Sequence, residues 1–415
     1  MPPAQAAIPD VAARHRVGGG RHGHWHDAGR ADRPGRLLLT ALLVPLGAAT
    51  LVGLVLLWPA TRHHPVPQQF QAPGGGAVVF VRGTVTVVAA TPCRGEPSQS
   101  CRDVTVRLDT GPEAATTTTL QYGAGPGAPP LQVGDRVRLA RTTDAATRRP
   151  AYFYDDMVRD LPLGLLAGLF AVVVVAVARW RGLAALVGLG VAYAVLVFFL
   201  LPALLAGEPA LPVGLTAAAA ILFVVLYVAH GVSARSSAAL LGTLLSLALT
   251  GGLAFAATGA IRITGLSSDV VTAVQTSVPA VSVSGLVLCG LIIGALGVLN
   301  DVTVTQASAV WELHDSAPDL PRRRLYRAAM RIGRDHIASS VYTLVLAYAG
   351  SAIPLLLLVS LSGRSVHDIV TSDEIAEEIV RSLVGGVGLV ASVPITTAVA
   401  TYLVRRGRRP AEHSV

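Results

Sequence analysis

The stretch Gly285-Leu-Val-Leu-Cys289-Gly290-Leu-Ile-Ile-Gly294-Ala-Leu-Gly297-Val-Leu-Asn300-Asp301-Val-Thr-Val-Thr305-Gln-Ala-Ser308-Ala-Val-Trp311-Glu312 decides the fold. Its apolar part, residues 282 to 303, is about as long as a helix needs to cross the hydrocarbon of a bilayer, roughly 20 residues. At helical spacing Gly290, Gly294, Gly297, Asp301, Thr305, Ser308 and Glu312 recur in steps of four and three, so they share one face. The face is small at one end and polar at the other. Its glycines are expected to pack against a neighbouring helix, and its polar continuation is expected to face protein or water rather than lipid. Asp301 falls about 24 Å along the axis from Gly285, near the edge of the bilayer. A carboxylate there reads either as part of an ion or proton pathway, with Asn300 beside it, or as the partner of an arginine in the next loop.

Outward from this helix the chain is nearly continuous membrane. Further spans are expected near 161–178, 183–205, 211–230, 237–257, 337–361 and 380–404, and a first one at 37–58. That first apolar run exceeds the roughly 7–15 residues of a cleavable signal core, so it reads as an uncleaved anchor. The chain is therefore expected to be mainly α, a polytopic bundle of about eight transmembrane helices. Composition agrees: of 415 residues 52% are hydrophobic and only 14% charged, a balance that calls for lipid. The net charge of +8 would suggest nucleic acid in a soluble protein. Here the basic residues crowd the ends of apolar runs, so no nucleic-acid partner is expected. All 33 basic residues are arginine, a coding bias rather than a functional signal.

Between the first two spans, residues 59–160 carry short runs that alternate apolar and polar residues, among them Val81–Val87, Val104–Leu108 and Val133–Leu139. Alternation is the signature of half-buried strands. The threonine run at 116–119 and the Pro/Gly-rich segment at 123–130 read as separators. A small β-domain of OB-like or small-barrel type is expected. Cys93 and Cys101 are expected to form a disulfide if this domain faces an oxidising compartment, a zinc site having no further thiols nearby, and Cys289 reads as a packing residue. Residues 1–36 and 405–415 read as cytoplasmic tails, the first disordered; its His22, His24 and His26 are taken as solvated, and no metal or cofactor is expected.

Orientation follows from the short loops. Arginines cluster in the N-terminal tail, at Arg179 and Arg181, at Arg235, from Arg322 to Arg334 and after residue 404, all on one side of an eight-span chain. Both termini are thus expected in the cytoplasm and the β-domain outside, in a bacterial inner (cytoplasmic) membrane. The Arg322–Arg334 loop reads as an interfacial amphipathic helix, with Leu325, Ala329 and Ile332 on its apolar face and anionic headgroups as its partner. Asp335 is expected to cap the seventh span, or with His336 to relay protons. Thr371 and Glu374 read as a capping box, and Glu377 with Arg381 as a helical ion pair. No GxxxxGK[ST], HExxH or GxSxG motif occurs, so an enzyme is not expected.

Three stretches, Gly297–Ser308, Gly333–Gly350 and Arg381–Gly385 continuing to Pro394–Thr397, resemble the YibE/F family of bacterial membrane proteins. The resemblance covers roughly residues 160–404, and it implies a multi-pass membrane protein. One departure is visible: Asn300-Asp301 stands where the resemblance implies two aspartates, leaving one charge where two might coordinate a cation. The expected function is a secondary transporter or permease for a small solute or ion. Its pathway would run near Asn300, Asp301, Thr305, Ser308, Glu312, Asp335 and His336. The alternative is a non-transporting scaffold or sensor whose outer β-domain binds an envelope partner, and a homo-oligomer is open in either case.

Overall fold

The computed structural model describes residues 33–59, 78–94, 96–125, 127–143, 149–265, 272, 274–276, 278–361 and 363–404. Nearly all of both expected tails, with the His22–His26 cluster and the terminal arginines, lies outside the described residues. The chain is mostly helical, with one separate antiparallel sheet near its N-terminal end.

That sheet has five strands, β1 Val79–Cys93, β2 Glu96–Leu108, β3 Thr117–Gly123, β4 Arg136–Thr143 and β5 Pro150–Met157, in the order β3-β2-β1-β4-β5. The long β1 pairs with β4 through its first half and with β2 through its second. At the crossover a Cβ on Gly83 would lie 2.6 Å from Val106 Cγ1, so only glycine lets the strand bend there. Val81, Val85, Val106, Leu108, Val137 and Leu139 fill the inner face. The sheet curls until Tyr122 on β3 meets Tyr154 on β5 edge to face, ring centres 6.3 Å apart, which makes a half-barrel. Glu113, in the turn before β3, accepts two hydrogen bonds from Arg141 and one from Tyr152. The guanidinium holds its carboxyl below the usual range. Cys93 and Cys101 are bonded at the end of the β1–β2 hairpin.

Two readings of this region are corrected. The threonine run does not separate strands but begins β3, an edge strand whose Thr119 faces Thr105 of β2. β-branched residues suit strands, and a threonine run on an edge shows no alternation to reveal it. Val133 and Gly134 precede β4, in a turn where Gly134 has φ +97° and the Asp135 carboxylate accepts from the Gln132 amide.

The helices are α1 Arg33–Leu56, α2 Asp160–Leu205, α3 Ala210–His230, α4 Ala234–Ile261, α5 Val283–Ser316, α6 Arg322–Ser351, α7 Ile353–Ser360, α8 Val366–Val370 and α9 Asp373–Leu403. Six are long and apolar enough to cross a membrane, and α6 with α7 qualifies as a pair bent by 58°. The bend falls within the expected seventh span, 337–361, and Pro354, at the start of α7, is its cause. Within α2, Arg179 leaves helical geometry at φ 54° and ψ −130°. There the Val174 carbonyl abuts Gly182, where a Cβ would clash with it. Eight residues of straight helix would hold them about 12 Å apart, so α2 is a hairpin of two arms.

α3, α4, α5 and α9 form the core, built on Leu222, Leu226, Leu240, Leu247, Ile292 and Leu299. α1 and α2 present most of their leucines and valines outward, as lipid-facing helices do. α6 is one continuous helix through Asp335, so this residue caps nothing; it is exposed in mid-helix, as is His336. The expected capping box is also absent, since Ser372, not Thr371, precedes the first turn of α9. The Glu377–Arg381 pair is present at 2.6 Å.

The disulfide closes a short loop, for which chain entropy gives about 2–3 kcal/mol. Replacing Cys93 and Cys101 by serine in the full chain should speed amide hydrogen exchange in β1 and β2 while the helices keep their protection. Unchanged exchange in both strands would show that the bond does not hold the hairpin.

Candidate functional site: a buried hydroxyl column

Hydrocarbon offers no hydrogen-bond partners, so polar side chains in a membrane bundle are informative where they are buried. Here they gather between α4, α5 and α9. Thr243, Ser246 and Thr250 of α4, Thr303 and Gln306 of α5, and Ser392, Thr396 and Thr397 of α9 are all at most 2% exposed. No Asp, Glu, Arg or His is buried among the described residues, so the column is polar without formal charge.

Two matching sequences build it. α4 reads Gly242-x3-Ser246-x3-Thr250 and α9 reads Gly388-x3-Ser392-x3-Thr396, each a single helical face. A Cβ on Gly242 would collide with Thr396 Oγ1, and one on Gly388 would collide with Thr250 Oγ1. Each glycine therefore receives the other helix's threonine. The two triplets run antiparallel about a local two-fold, and their register places Ser246 opposite Ser392.

The hydroxyl protons are largely spent within each helix. Thr250 donates to the Ser246 carbonyl at 2.7 Å, Ser246 to Gly242 at 2.8 Å, Ser392 to Leu389 at 2.7 Å and Thr397 to Val393 at 2.6 Å. This back-bonding leaves oxygen lone pairs toward the column. α5 is tied in by the Thr243–Thr303 hydroxyl pair at 2.6 Å and by Gln306, whose Nε2 donates to Thr397 Oγ1 at 2.7 Å and to the Ala329 carbonyl of α6 at 3.0 Å. α6 comes this close because Gly333 has no side chain; a Cβ there would strike Val393 and lie 2.9 Å from Gln306 Oε1. Gly333 thus replaces the exposed Ile332 on the packed face of this helix. Thr396 Oγ1 and, on α5, Asn300 Oδ1 are buried without a hydrogen-bond partner. Such a set of oxygens can take a small, partly dehydrated cation or a neutral hydrogen-bonding solute, and it has no group for acid–base chemistry.

Apart from Asn300, the residues singled out from sequence on α5 lie on another face of that helix. Gly290, Gly294, Gly297, Asp301, Thr305 and Glu312 do share a face, with Ser308 half-buried at its margin, but that face is exposed. A Cβ on Gly290 or Gly297 would meet nothing, and one on Gly294 only the Tyr348 hydroxyl at 3.0 Å. Among the described residues the Asp301 carboxylate has neither hydrogen bond nor ion pair, so its expected arginine partner in α6 is not engaged. The packed face carries Ile292, Leu299, Thr303, Gln306 and Val310 instead. The signal that could have found the site was the repeated Gly-x3-Ser-x3-Thr.

The family model described as YibE/F-like protein matches residues 166–406, more than half the chain, and the chain belongs to that family. The match takes in α3 to α9, and hence the whole column, and leaves out the half-barrel. No curated protein and no solved structure matches the chain.

Gly388→Val should overpack the α4–α9 contact at a cost of about 1–3 kcal/mol, lowering the thermal midpoint in detergent, whereas Gly290→Val should leave it unchanged. Equal losses from the two substitutions would contradict the assignment of the packing glycines.

Proposed function

We propose that this YibE/F-like protein is a secondary permease for a small solute or ion, and that the solute passes along the column between α4, α5 and α9. The observation that carries the reading is the pair of antiparallel Gly-Ser-Thr triplets, which concentrates uncharged oxygens at the centre of an otherwise apolar bundle. Polar groups so placed are costly to bury and recur where transporters bind solutes, at an interface between elements of opposite topology. A local two-fold between α4 and α9 is suited to alternate opening, because tilting one helix against the other widens one end while closing the other. Without a nucleotide-binding motif, coupling would come from an ion gradient.

The topology in this reading has eight crossings among the described residues: the six long helices, one more for the α6–α7 pair and one more because α2 is a hairpin. The arginine-bearing loops then fall on the cytoplasmic side with both termini, and the half-barrel stands outside. The exposed stripe on α5 would put Asp301 against lipid in a single chain, and a second copy covering it would remove that cost. A second reading, a scaffold or sensor that recognises an envelope partner through the half-barrel, is favoured by the disulfide-closed hairpin with Arg94 and Arg102 exposed near its end.

In proteoliposomes scanned with monovalent cations and small neutral solutes, Gln306→Leu and Thr243→Val should each cut flux at least about tenfold, roughly 1.4 kcal/mol in barrier. Asp301→Asn should keep flux within about twofold. Loss of flux in Asp301→Asn with normal flux in the other two would move the pathway to the outer face of α5. Flux by none of the proteins, with envelope-partner recovery lost on deleting 78–157, would favour the second reading.

A further inference from the structure

An apolar groove of about 770 Å³ runs between α1, α4 and α9, walled by Leu42 and Leu46, Leu241 and Leu245, and Val399 and Tyr402. At Ala398 and Tyr402 it meets a second cavity, of about 440 Å³, walled by Arg322, Arg323, Tyr326, Arg327 and Thr401. One continuous depression is thus apolar along the bundle and cationic at its end. We propose that it holds one anionic phospholipid, with an acyl chain between α1 and α9 and the phosphate among Arg322, Arg323 and Arg327.

Four features of the cationic end point to a bound anion. Among the described residues none of the three arginines has an acidic partner, so their charge is uncompensated within the chain. Arg322 is nevertheless fixed, donating to the Tyr402 carbonyl at 2.9 Å with its guanidinium 5.0 Å over the Tyr402 ring. That posture fixes one wall of the cavity before any ligand arrives. Thr401, one of the residues that line this cavity, is 5% exposed, and its Oγ1 is buried without a hydrogen-bond partner. Finally, α6 is a 30-residue helix that opens here at Arg322 with no side-chain cap and no acidic residue in its first turn. Its leading amides and dipole favour a negative group at the same point.

The apolar half selects the source of that anion. Free phosphate would satisfy the arginines and leave the groove to bulk lipid, whereas an anionic phospholipid occupies both halves as one molecule. A zwitterionic lipid would bring an ammonium toward three guanidiniums. Basic pockets at the ends of membrane helices bind anionic headgroups on this logic. The site would also tie α1, whose outward surface is otherwise lipid-facing, to the core helices α4 and α9. It rests on the membrane placement of the bundle and not on the transport reading, so the two fail separately.

The full chain in detergent, titrated with dioleoylphosphatidylglycerol or dioleoylphosphatidylcholine and read by native mass spectrometry, tests the proposal. One phosphatidylglycerol should be retained with at least tenfold preference over phosphatidylcholine. Arg322→Gln/Arg323→Gln/Arg327→Gln should abolish the preference. Thr401→Val, a milder change that keeps the arginines, should weaken binding severalfold, and Ala49→Trp should do so by filling the groove. Each variant is compared at an unchanged lipid-free thermal midpoint. Equal retention of the two lipids, or a preference that survives both Thr401→Val and the triple change, would overturn the site. Full displacement by millimolar inorganic phosphate together with no effect of Ala49→Trp would show a free-anion site in place of a lipid site.

Discussion

The close approach of α4 to α9 is the constraint on which the bundle depends. Gly242 lies against Thr396 and Gly388 against Thr250, and no other residue could occupy either glycine position without driving the helices apart. In hydrocarbon, water release contributes little to helix association, and packing at short range must supply the attraction. Once α4 and α9 are seated, their adjoining surfaces offer α5 a Thr243 hydroxyl and a Thr397 hydroxyl, which Thr303 and Gln306 engage. α6 follows because Gly333 leaves room for Gln306 to reach its Ala329 carbonyl. Interhelical hydrogen bonds of this kind average only about 0.6 kcal/mol in a membrane. As adhesive alone they are a weak reason to bury so many oxygens, which is why a solute-binding role fits the column better than a purely structural one.

α5 has two marked faces, and they divide the chemistry between them. Thr303 and Gln306 turn into the column, while Asp301, Thr305 and Glu312 turn outward, and among the described residues neither carboxylate has a partner. The inward face is uncharged, which suits binding and release of a solute with modest affinity. The outward face carries acids, which suits a neighbour able to supply donors. Toward the opposite end of α9, Arg381 bridges Glu377 and Glu378 and lies 6.0 Å over the Tyr348 ring, joining α9 to α6 by a charged cluster away from the column.

The membrane character of the chain and most of its helices were legible because a span of hydrophobic residues is a long signal, and because arginines mark the loops. Arg179 and Arg181 placed a break where the structure has the α2 hairpin. The alternating runs of the half-barrel were legible for the same reason that they fold, since one face of each must be buried. β3 was hidden because Thr117, Thr118 and Thr119 look alike on both faces. The continuity of α6 was hidden because Asp335 suits a cap as well as an exposed mid-helix site. Asp301 drew attention because charge in a membrane segment stands out. Periodicity, however, says which residues share a face and not which face is turned inward. Thr303 and Gln306 could be recognised only through their partners, and those partners lie on helices remote in sequence.

The register of α4 against α9 underlies the whole column, and cross-linking tests that register most directly. In a chain with Cys289 replaced by serine, the pair Ser246→Cys and Ser392→Cys should join on mild oxidation within single chains, and the linked protein should lose solute flux until it is reduced. Failure of that pair to cross-link, with efficient linkage instead in a control displaced by one turn, Ser246→Cys with Thr396→Cys, would contradict the antiparallel register and with it the column.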